Sequence, residues 1–162
     1  MRGRSTLEGI TVRKMLPADL HRVCAIENLC YTTPWSFNSF KYEIENSDAI
    51  LKVAVFNSQI IGYVCIRTML DMTHLMNIAV LPEFRRRGIG EMLLGNAVGE
   101  LKHLQPDTKL TLEVRQSNTA AVRFYEKSGF NVTGMRKKYY KEPEDDAIIM
   151  ELDISLFFPD QN

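Results

Sequence analysis

Apolar and polar residues alternate in some segments of this chain, as in strands, and follow helical spacing in others. Together the two patterns predict a mixed α/β fold. Seven segments favour strands, by strict alternation or as short runs rich in β-branched residues. They are 10–15, 50–56, 59–68, 73–80, 109–115, 130–136 and 147–152. Four segments have apolar residues at helical spacing, beginning near Leu20, Ser36, Gly90 and Asn118. The predicted order is β-α-α-β-β-β-α-β-α-β-β, with the later strands antiparallel.

Turn and capping residues mark the ends of several predicted elements. Asn57-Ser58 between two strands indicates a hairpin, and Gly62 within the second of them indicates a bulge. Ser36 and Asn118 are expected to cap the helices that follow them. Gly129 is placed to end the last helix in a left-handed conformation.

No internal repeat, low-complexity linker or break in composition divides the 162 residues. A chain of this length normally forms one domain. We therefore expect a single domain over 1–162, with its core at about 10–152 and a C-terminal tail at 153–162. The Phe157-Phe158 pair in the tail either docks on the domain or contacts a partner.

The charge of the chain is balanced, with 20 Lys and Arg against 20 Asp and Glu. Dedicated nucleic-acid-binding domains are normally basic, so that class is not favoured. No run approaches the roughly 18 apolar residues of a transmembrane helix, and no apolar segment follows the charged N-terminus as in a secretory signal. We expect a cytoplasmic protein that does not bind membranes. The sequence carries no signal for the oligomeric state.

The cysteines and histidines favour neither a disulfide framework nor a metal site. Cys24, Cys30 and Cys65 are odd in number and lack C-x-x-C spacing, which is typical of buried thiols in a reducing compartment. The three histidines lie far in sequence from other potential ligands. We therefore predict that the protein holds no metal.

An arginine- and glycine-rich turn lies between a predicted strand and a predicted helix. It reads Arg85-Arg86-Arg87-Gly88-Ile89-Gly90. Free N–H groups at a helix start, the helix dipole and nearby guanidinium groups all favour an anion such as a pyrophosphate. A solvated basic turn is the alternative. The patterns of a nucleotide P-loop and of a dinucleotide site are both absent.

A second informative segment combines a strand with the start of a helix. Alternation places Glu113 and Arg115 on the strand face opposite Leu112 and Val114. Glu113 is therefore either a carboxylate that faces water or a candidate base. Tyr125, on the following helix, is either a core aromatic residue or part of a site.

In order and spacing, the two segments together resemble the GNAT superfamily of N-acetyltransferases. The matching patterns are R-x-x-G-x-G and L-E-V-R-x-x-N-x-x-A-x-x-x-Y-x-x-x-G-F. More narrowly, the chain looks like the ribosomal-protein alanine N-acetyltransferases of the RimI type and the archaeal N-terminal acetyltransferases. Further matching segments are Thr33-Pro34-Trp35-Ser36, Asn77-Ile78-Ala79-Val80, Tyr139-Tyr140 and Asp146-Ala147-Ile148-Ile149-Met150. The resemblance covers roughly residues 10–152.

The resemblance implies the GNAT fold and acetyl-CoA as cosubstrate. That fold is a central mixed, mostly antiparallel sheet of about seven strands, with splayed central strands and four flanking helices. Acetyl-CoA would lie in the splay, where the Val80 N–H would polarise the thioester carbonyl. The implied coenzyme-binding residues are Ile78, Ala79, Val80, Arg85, Arg86, Arg87, Gly88, Ile89, Gly90, Glu91 and Asn118.

The resemblance also implies direct attack of an amine on the thioester, with Glu113 as base and Tyr125 as acid. An α-amine is mostly protonated near pH 7, so its proton must be accepted as attack proceeds. A phenol stays protonated at neutral pH and is able to protonate the departing thiolate. The sequence leaves open whether Arg115 points at Glu113, and whether the proton reaches Glu113 directly or through water.

The implied acceptor is the N-terminal α-amine of a protein, such as a small-subunit ribosomal protein that begins with alanine. Tyr139 and Tyr140 are expected acceptor-binding residues, because the last hairpin of such enzymes narrows the acceptor groove, admits a peptide's end and hinders a mid-chain lysine. Tyr31 and Trp35 are expected to line the same groove. The acidic stretch 142–146 either forms a solvated turn or creates a negative electrostatic field that attracts a cationic peptide. The N-terminal extension and the Phe157-Phe158 tail do not match the bacterial type, which leaves a broader, archaeal-like acceptor range open.

Three other functions stay open. The same scaffold could acetylate a lysine side chain or a small amine. It could bind acetyl-CoA without catalysis, although Glu113 and Tyr125 at matching positions count against this. A basic patch of Arg85-Arg86-Arg87 with Lys137-Lys138 could face RNA, which predicts salt-sensitive binding and is not favoured by the neutral charge.

Overall fold

The computed structural model describes residues 8–157. Its strands are β1 (Ile10–Lys14), β2 (Ala49–Phe56), β3 (Gln59–Met69), β4 (Met72–Val80), β5 (Lys109–Arg115), β6 (Asn131–Lys141) and β7 (Glu144–Asp153). Its helices are α1 (Leu20–Cys30), α2 (Phe37–Ile44), α3 (Ile89–Leu104) and α4 (Thr119–Lys127). The predicted order of strands and helices is confirmed.

The seven strands form one sheet in the order β1-β2-β3-β4-β5-β7-β6. Neighbours are antiparallel except β4 and β5, whose parallel pairing is limited to Thr73 with Leu110 and His74 with Thr111. Beyond these residues the two strands run on to Val80 and Arg115 without pairing to each other. The predicted mixed sheet with splayed central strands is confirmed.

Helices cover both faces of the sheet. On one face, α1 and α2 pack against β2, β3 and β4, where Tyr63 meets the ring of Phe40 at 5.4 Å. On the other face, α3 packs across β2 and β3. A Cβ added to Gly62 would lie 2.8 Å from the Ala79 carbonyl oxygen and 3.2 Å from Leu93 of α3. The missing side chain therefore allows β3, β4 and α3 to approach closely.

The predicted caps and turns are present, and the bulge lies one residue from its predicted position. The Ser36 hydroxyl accepts a hydrogen bond from the Ser39 N–H at 3.1 Å, and Gly129 has a φ of +101°. In β3, Gly62 pairs with Ala54 while Ile60 pairs with Val55, so Ile61 is the bulged residue.

Only the first two residues of the acidic stretch 142–146 form a turn, which corrects that interpretation in part. β6 continues to Lys141 and β7 begins at Glu144, so the connection is only Glu142-Pro143. Two of the acidic residues make specific bonds: Asp146 accepts from the Lys138 N–H at 2.7 Å, and Asp145 accepts from the Ser117 hydroxyl at 2.5 Å. These bonds hold the carboxylates against the chain instead of leaving them in a solvated loop.

The cysteines also depart from expectation in part. All three are free, but only Cys65 is buried, whereas Cys24 and Cys30 are half-buried on α1. The alternation of β3 carries Cys65 under the helices, while the end of α1, where Cys30 lies, borders an open cleft.

The described part of the tail docks on α3. A Cβ added to Gly95 would meet the Phe157 ring at 4.0 Å, and the Lys102 ammonium donates to the Phe157 carbonyl at 2.6 Å. Phe158 and the N-terminal extension lie outside the described residues. Over 8–157, no helix is long and apolar enough to cross a membrane.

Candidate functional site

The divergence of β4 and β5 opens a cleft of about 690 Å³ at the carboxyl ends of these strands. Nearly all the predicted coenzyme-binding residues line it, namely Ile78, Ala79, Val80, Arg85, Arg86, Gly88, Ile89, Gly90, Glu91 and Asn118. Tyr31 and Tyr125 line it as well. Arg87 is not among the lining residues, and its guanidinium lies over the Phe84 ring at 5.4 Å.

The start of α3 presents bare backbone to this cleft. Gly88 is the N-cap residue with a φ of +82°, a conformation that glycine adopts without strain. A Cβ at Gly90 would meet the Phe124 ring at 3.2 Å, so the glycine also lets α4 pack beside the start of α3. The first N–H groups of α3, with Arg86 nearby, form an environment suited to a phosphate group.

Arg123 is a cleft residue that sequence analysis missed. It lies one helical turn after Thr119, on the side of α4 that faces the start of α3. A basic residue at this position of a solvated helix gives no distinguishing signal in the sequence. Asn118 lies in the cleft and also caps α4, as expected. It lines the cleft, and its side chain accepts a hydrogen bond from the Ala121 N–H at 3.2 Å.

The free edge of β4 turns its backbone toward the cleft at two residues. The Ala79 carbonyl lies against Gly62 of β3, so its neighbours Ile78 and Val80 point their N–H and C=O groups the other way. The Tyr31 hydroxyl donates to the Ile78 carbonyl at 2.5 Å, and Arg85 Nε donates to the Val80 carbonyl at 3.0 Å. This edge is thus a row of main-chain hydrogen-bonding groups that line an open space.

Glu113 lies on β5, on the face of the sheet that carries α1 and α2. Its carboxylate is 3.6 Å from Arg136 Nε, and its side chain is 24% exposed. The nearby Glu113 carboxylate, with a smaller effect of burial, raises the pKa of Tyr139. Burial, followed by the charge of Glu113, raises the pKa of Tyr140. The carboxylate therefore sits among one guanidinium and two phenols.

Arg115 does not point at Glu113. Its guanidinium donates to the Pro143 carbonyl at 2.8 Å and to the Glu142 carbonyl at 3.1 Å, and it stacks 4.2 Å from the Tyr140 ring. The cation beside Glu113 is instead Arg136, on β6. Sequence analysis missed Arg136 because the proximity depends on β7 pairing between β5 and β6.

Tyr125 is both a packed residue and a cleft residue. Its ring contacts those of Phe124 and Phe130 at 5.3 and 5.5 Å, and it is 9% exposed. Burial, with a smaller effect of Tyr140, raises the pKa of Tyr125. The phenol therefore keeps its proton at neutral pH while its side chain borders the cleft.

Tyr31 and Trp35 do not lie in one cavity. Tyr31 lines the cleft, whereas Trp35 lines a separate cavity of about 390 Å³ with Asn38, Ser39, Tyr42, Glu43 and Met76. Tyr139 and Tyr140 pack edge to face at 5.1 Å beside Glu113. Within residues 8–157, no group of three or more His, Cys, Asp or Glu is arranged to hold a metal ion.

A buried carboxylate in α1, Glu27, is a further feature that sequence analysis missed. It is 1% exposed and accepts from the Trp35 N–H at 3.0 Å, from the Asn77 amide at 2.8 Å and from the Tyr63 hydroxyl. These bonds join the loop before α2 to β3 and β4. Burial raises the pKa of Glu27, although the bonds from Trp35 and Asn77 oppose the shift.

Replacing Glu27 with glutamine is expected to remove a pH dependence of stability. The pKa of Glu27 is higher in the folded state than in the unfolded state, where it is about 4.3. Glu27 therefore stabilises the fold most below about pH 4.3, and this contribution is lost as the pH rises through the pKa of the folded state. The difference in free energy of unfolding between wild type and Glu27→Gln should therefore fall from pH 4 to pH 8 in urea titrations. The exposed Glu45→Gln serves as control, and a difference that grows with pH would contradict the expectation.

Three comparisons place the chain among known proteins. The Acetyltransferase (GNAT) family model matches residues 20–130. A ribosomal protein bS18-alanine N-acetyltransferase from Haemophilus influenzae is 41% identical over 136 residues, which are 82% of this chain and 90% of that protein. The crystal structure of the Escherichia coli ribosomal-protein-S18-alanine N-acetyltransferase has a TM-score of 0.82 and 32% identity, covering 94% of this chain and 99% of that one.

An archaeal structure is similar as well. Ard1 from Thermoplasma volcanium has a TM-score of 0.78 and 26% identity, covering 90% of this chain and 97% of that one. The fold and the family match together define the class: the chain belongs to the acetyltransferase (GNAT) family. The protein is an N-acetyltransferase whose acetyl donor is acetyl-CoA.

Proposed function

We propose that this enzyme acetylates the N-terminal α-amine of a ribosomal protein that begins with alanine, and that it acts in the cytoplasm. The names of the similar proteins from Haemophilus influenzae and Escherichia coli support this acceptor. The observation that carries the proposal is the splay between β4 and β5, because it joins the two faces of the sheet. Acetyl-CoA enters beside α3 and α4, and the acceptor amine enters on the face of Glu113.

Acetyl-CoA fits the residues of the cleft by chemical type. Its pyrophosphate is complementary to the start of α3, where Gly88 and Gly90 leave the backbone open and Arg86 adds positive charge. Its pantetheine arm carries amides that pair with a strand edge as a further strand would, here at Ile78 and Val80. The Val80 N–H then lies on the cleft side to stabilise the oxygen of the tetrahedral intermediate.

Glu113 accepts the proton of the attacking amine, directly or through one water. The Glu113 carboxylate is in place between Arg136 and the phenols of the β6–β7 hairpin. The amine then attacks the thioester carbon, and the carbon–sulfur bond breaks as the intermediate collapses. Tyr125 protonates the departing thiolate, since its phenol borders the cleft and, with its pKa raised by burial, still carries a proton at neutral pH.

Two versions of one short peptide beginning with alanine test the acceptor. Both contain an internal lysine, and one has its α-amine blocked. We expect release of free CoA thiol from acetyl-CoA only with the unblocked peptide, because the hairpin with Tyr139 and Tyr140 admits a chain end. Mass spectrometry of the product should place the acetyl group on the α-amine. Equal turnover of both peptides would instead indicate a lysine acetyltransferase.

A further inference from the structure

Two carbonyls on the free edge of β4 are already engaged by the chain's own side chains. The Tyr31 hydroxyl donates to the Ile78 carbonyl at 2.5 Å. Arg85 donates from Nε to the Val80 carbonyl at 3.0 Å and from Nη2 to the Cys30 sulfur at 3.4 Å. The Cys30 thiol also lies 3.8 Å from the Val80 carbonyl. The end of α1 is thus tied across the cleft to the edge of β4.

Tyr31 makes the shortest contact of this connection. It is the C-cap residue of α1, and its extended backbone leads into the loop before α2. Its side chain lines the cleft together with Tyr125. Burial within the cleft, and to a smaller extent the neighbouring Tyr125, raises the pKa of Tyr31. The residue is still 39% exposed, so moving its ring does not open the hydrophobic core.

We propose that Tyr31 is a latch over the acetyl-CoA cleft. The latch is the hydrogen bond from the Tyr31 hydroxyl to the Ile78 carbonyl, and it competes with the pantetheine amide for the same acceptor. This inference rests on the proposed binding of acetyl-CoA along β4. The coenzyme binds only when the latch is open, with the Tyr31 ring moved out of the cleft toward the loop that carries Trp35.

The size of the effect follows from the strength of one hydrogen bond. A neutral bond of this kind contributes about 0.5–1.5 kcal/mol, which corresponds to about a twofold to thirteenfold change in an equilibrium constant. Because only protein with the latch open binds the coenzyme, the apparent Kd equals the intrinsic Kd divided by the open fraction. Removing the hydroxyl should therefore improve acetyl-CoA binding, which is the opposite of what removing a binding contact does.

Tyr31→Phe tests the latch, with Tyr42→Phe as matched control. Tyr42 lies on α2 and its hydroxyl accepts one hydrogen bond, from Arg67 at 3.2 Å. Calorimetry gives the Kd of acetyl-CoA, and the fluorescence of Trp35, the single tryptophan of the chain, gives the association rate by stopped flow. We expect Tyr31→Phe to bind about twofold to thirteenfold more tightly through faster association. Tyr42→Phe should match wild type.

The outcomes separate this inference from the proposed function. Failure of the wild type to bind acetyl-CoA would overturn the proposed function, and the latch with it. Normal wild-type binding with equal or weaker binding by Tyr31→Phe would overturn the latch alone. Tighter binding that arises only from slower dissociation would also overturn it, because the new ring would then be adding a contact to the bound coenzyme.

Discussion

Replacing Glu113 with glutamine is expected to lower kcat by about 10²–10⁴-fold, because the amide no longer accepts the proton of the attacking amine. The Kd of acetyl-CoA should stay close to that of the wild type, since Glu113 lies on the face of the sheet opposite α3 and α4. Steady-state turnover of an alanine-initiated peptide and calorimetry of acetyl-CoA measure the two quantities.

Glu151→Gln is the matched control for this prediction. Glu151 pairs with Thr111 on the same sheet and lies 3.5 Å from Lys109, so it is a carboxylate of the same kind near a cation. It should keep wild-type kcat. A Glu113→Gln enzyme that also kept wild-type kcat at saturating substrates would rule out Glu113 as the base.

Replacing Tyr125 with phenylalanine is expected to lower kcat by about 10²-fold or more, because the CoA thiolate then leaves without a positioned proton donor. The ring packing against Phe124 and Phe130 is retained in this variant, so stability should change little. Thermal unfolding together with kcat separates the two effects, and Tyr42→Phe serves as the control for loss of an exposed phenol. Wild-type kcat in Tyr125→Phe would remove this residue from the mechanism.

The pH profile gives a second test of the same residue. Burial raises the pKa of Tyr125. Its phenol therefore keeps its proton at about pH 10, the pH at which an ordinary tyrosine ionises. Wild-type kcat should therefore not fall between about pH 9 and pH 10 through loss of this proton. A decline in that interval that disappears in Tyr125→Phe would show that the acid titrates normally.

Local signals predicted the parts of the structure that local physics controls. Ser36 and Asn118 cap their helices because a short polar side chain reaches the N–H groups of its own first turn. The alternation in β5 separates Leu112 from Glu113 because neighbouring side chains leave a strand on opposite faces. The Arg-Gly turn opens into α3 as expected, with Gly88 in the left-handed conformation.

Contacts between distant segments were not predictable in the same way. Arg136 meets Glu113 only because β7 inserts between β5 and β6. Glu27 is buried because Tyr63, Asn77 and the Trp35 N–H converge on it from three other segments. Asp145 and Asp146 were misread as part of a turn because their hydrogen-bond partners, Ser117 and Lys138, lie on other segments of the chain.

The sequence by itself determined the order of elements, the family and most of the residues that line the cleft, because these depend on period, turn chemistry and motif spacing. Tertiary structure decided which of those residues touch. It turned Arg115 away to the β6–β7 connection, placed Arg136 beside Glu113, and carried Tyr31 across the cleft to Ile78. The physical reason is that strand order and the divergence of β4 from β5 bring together side chains far apart in the chain, and no local pattern encodes such distances.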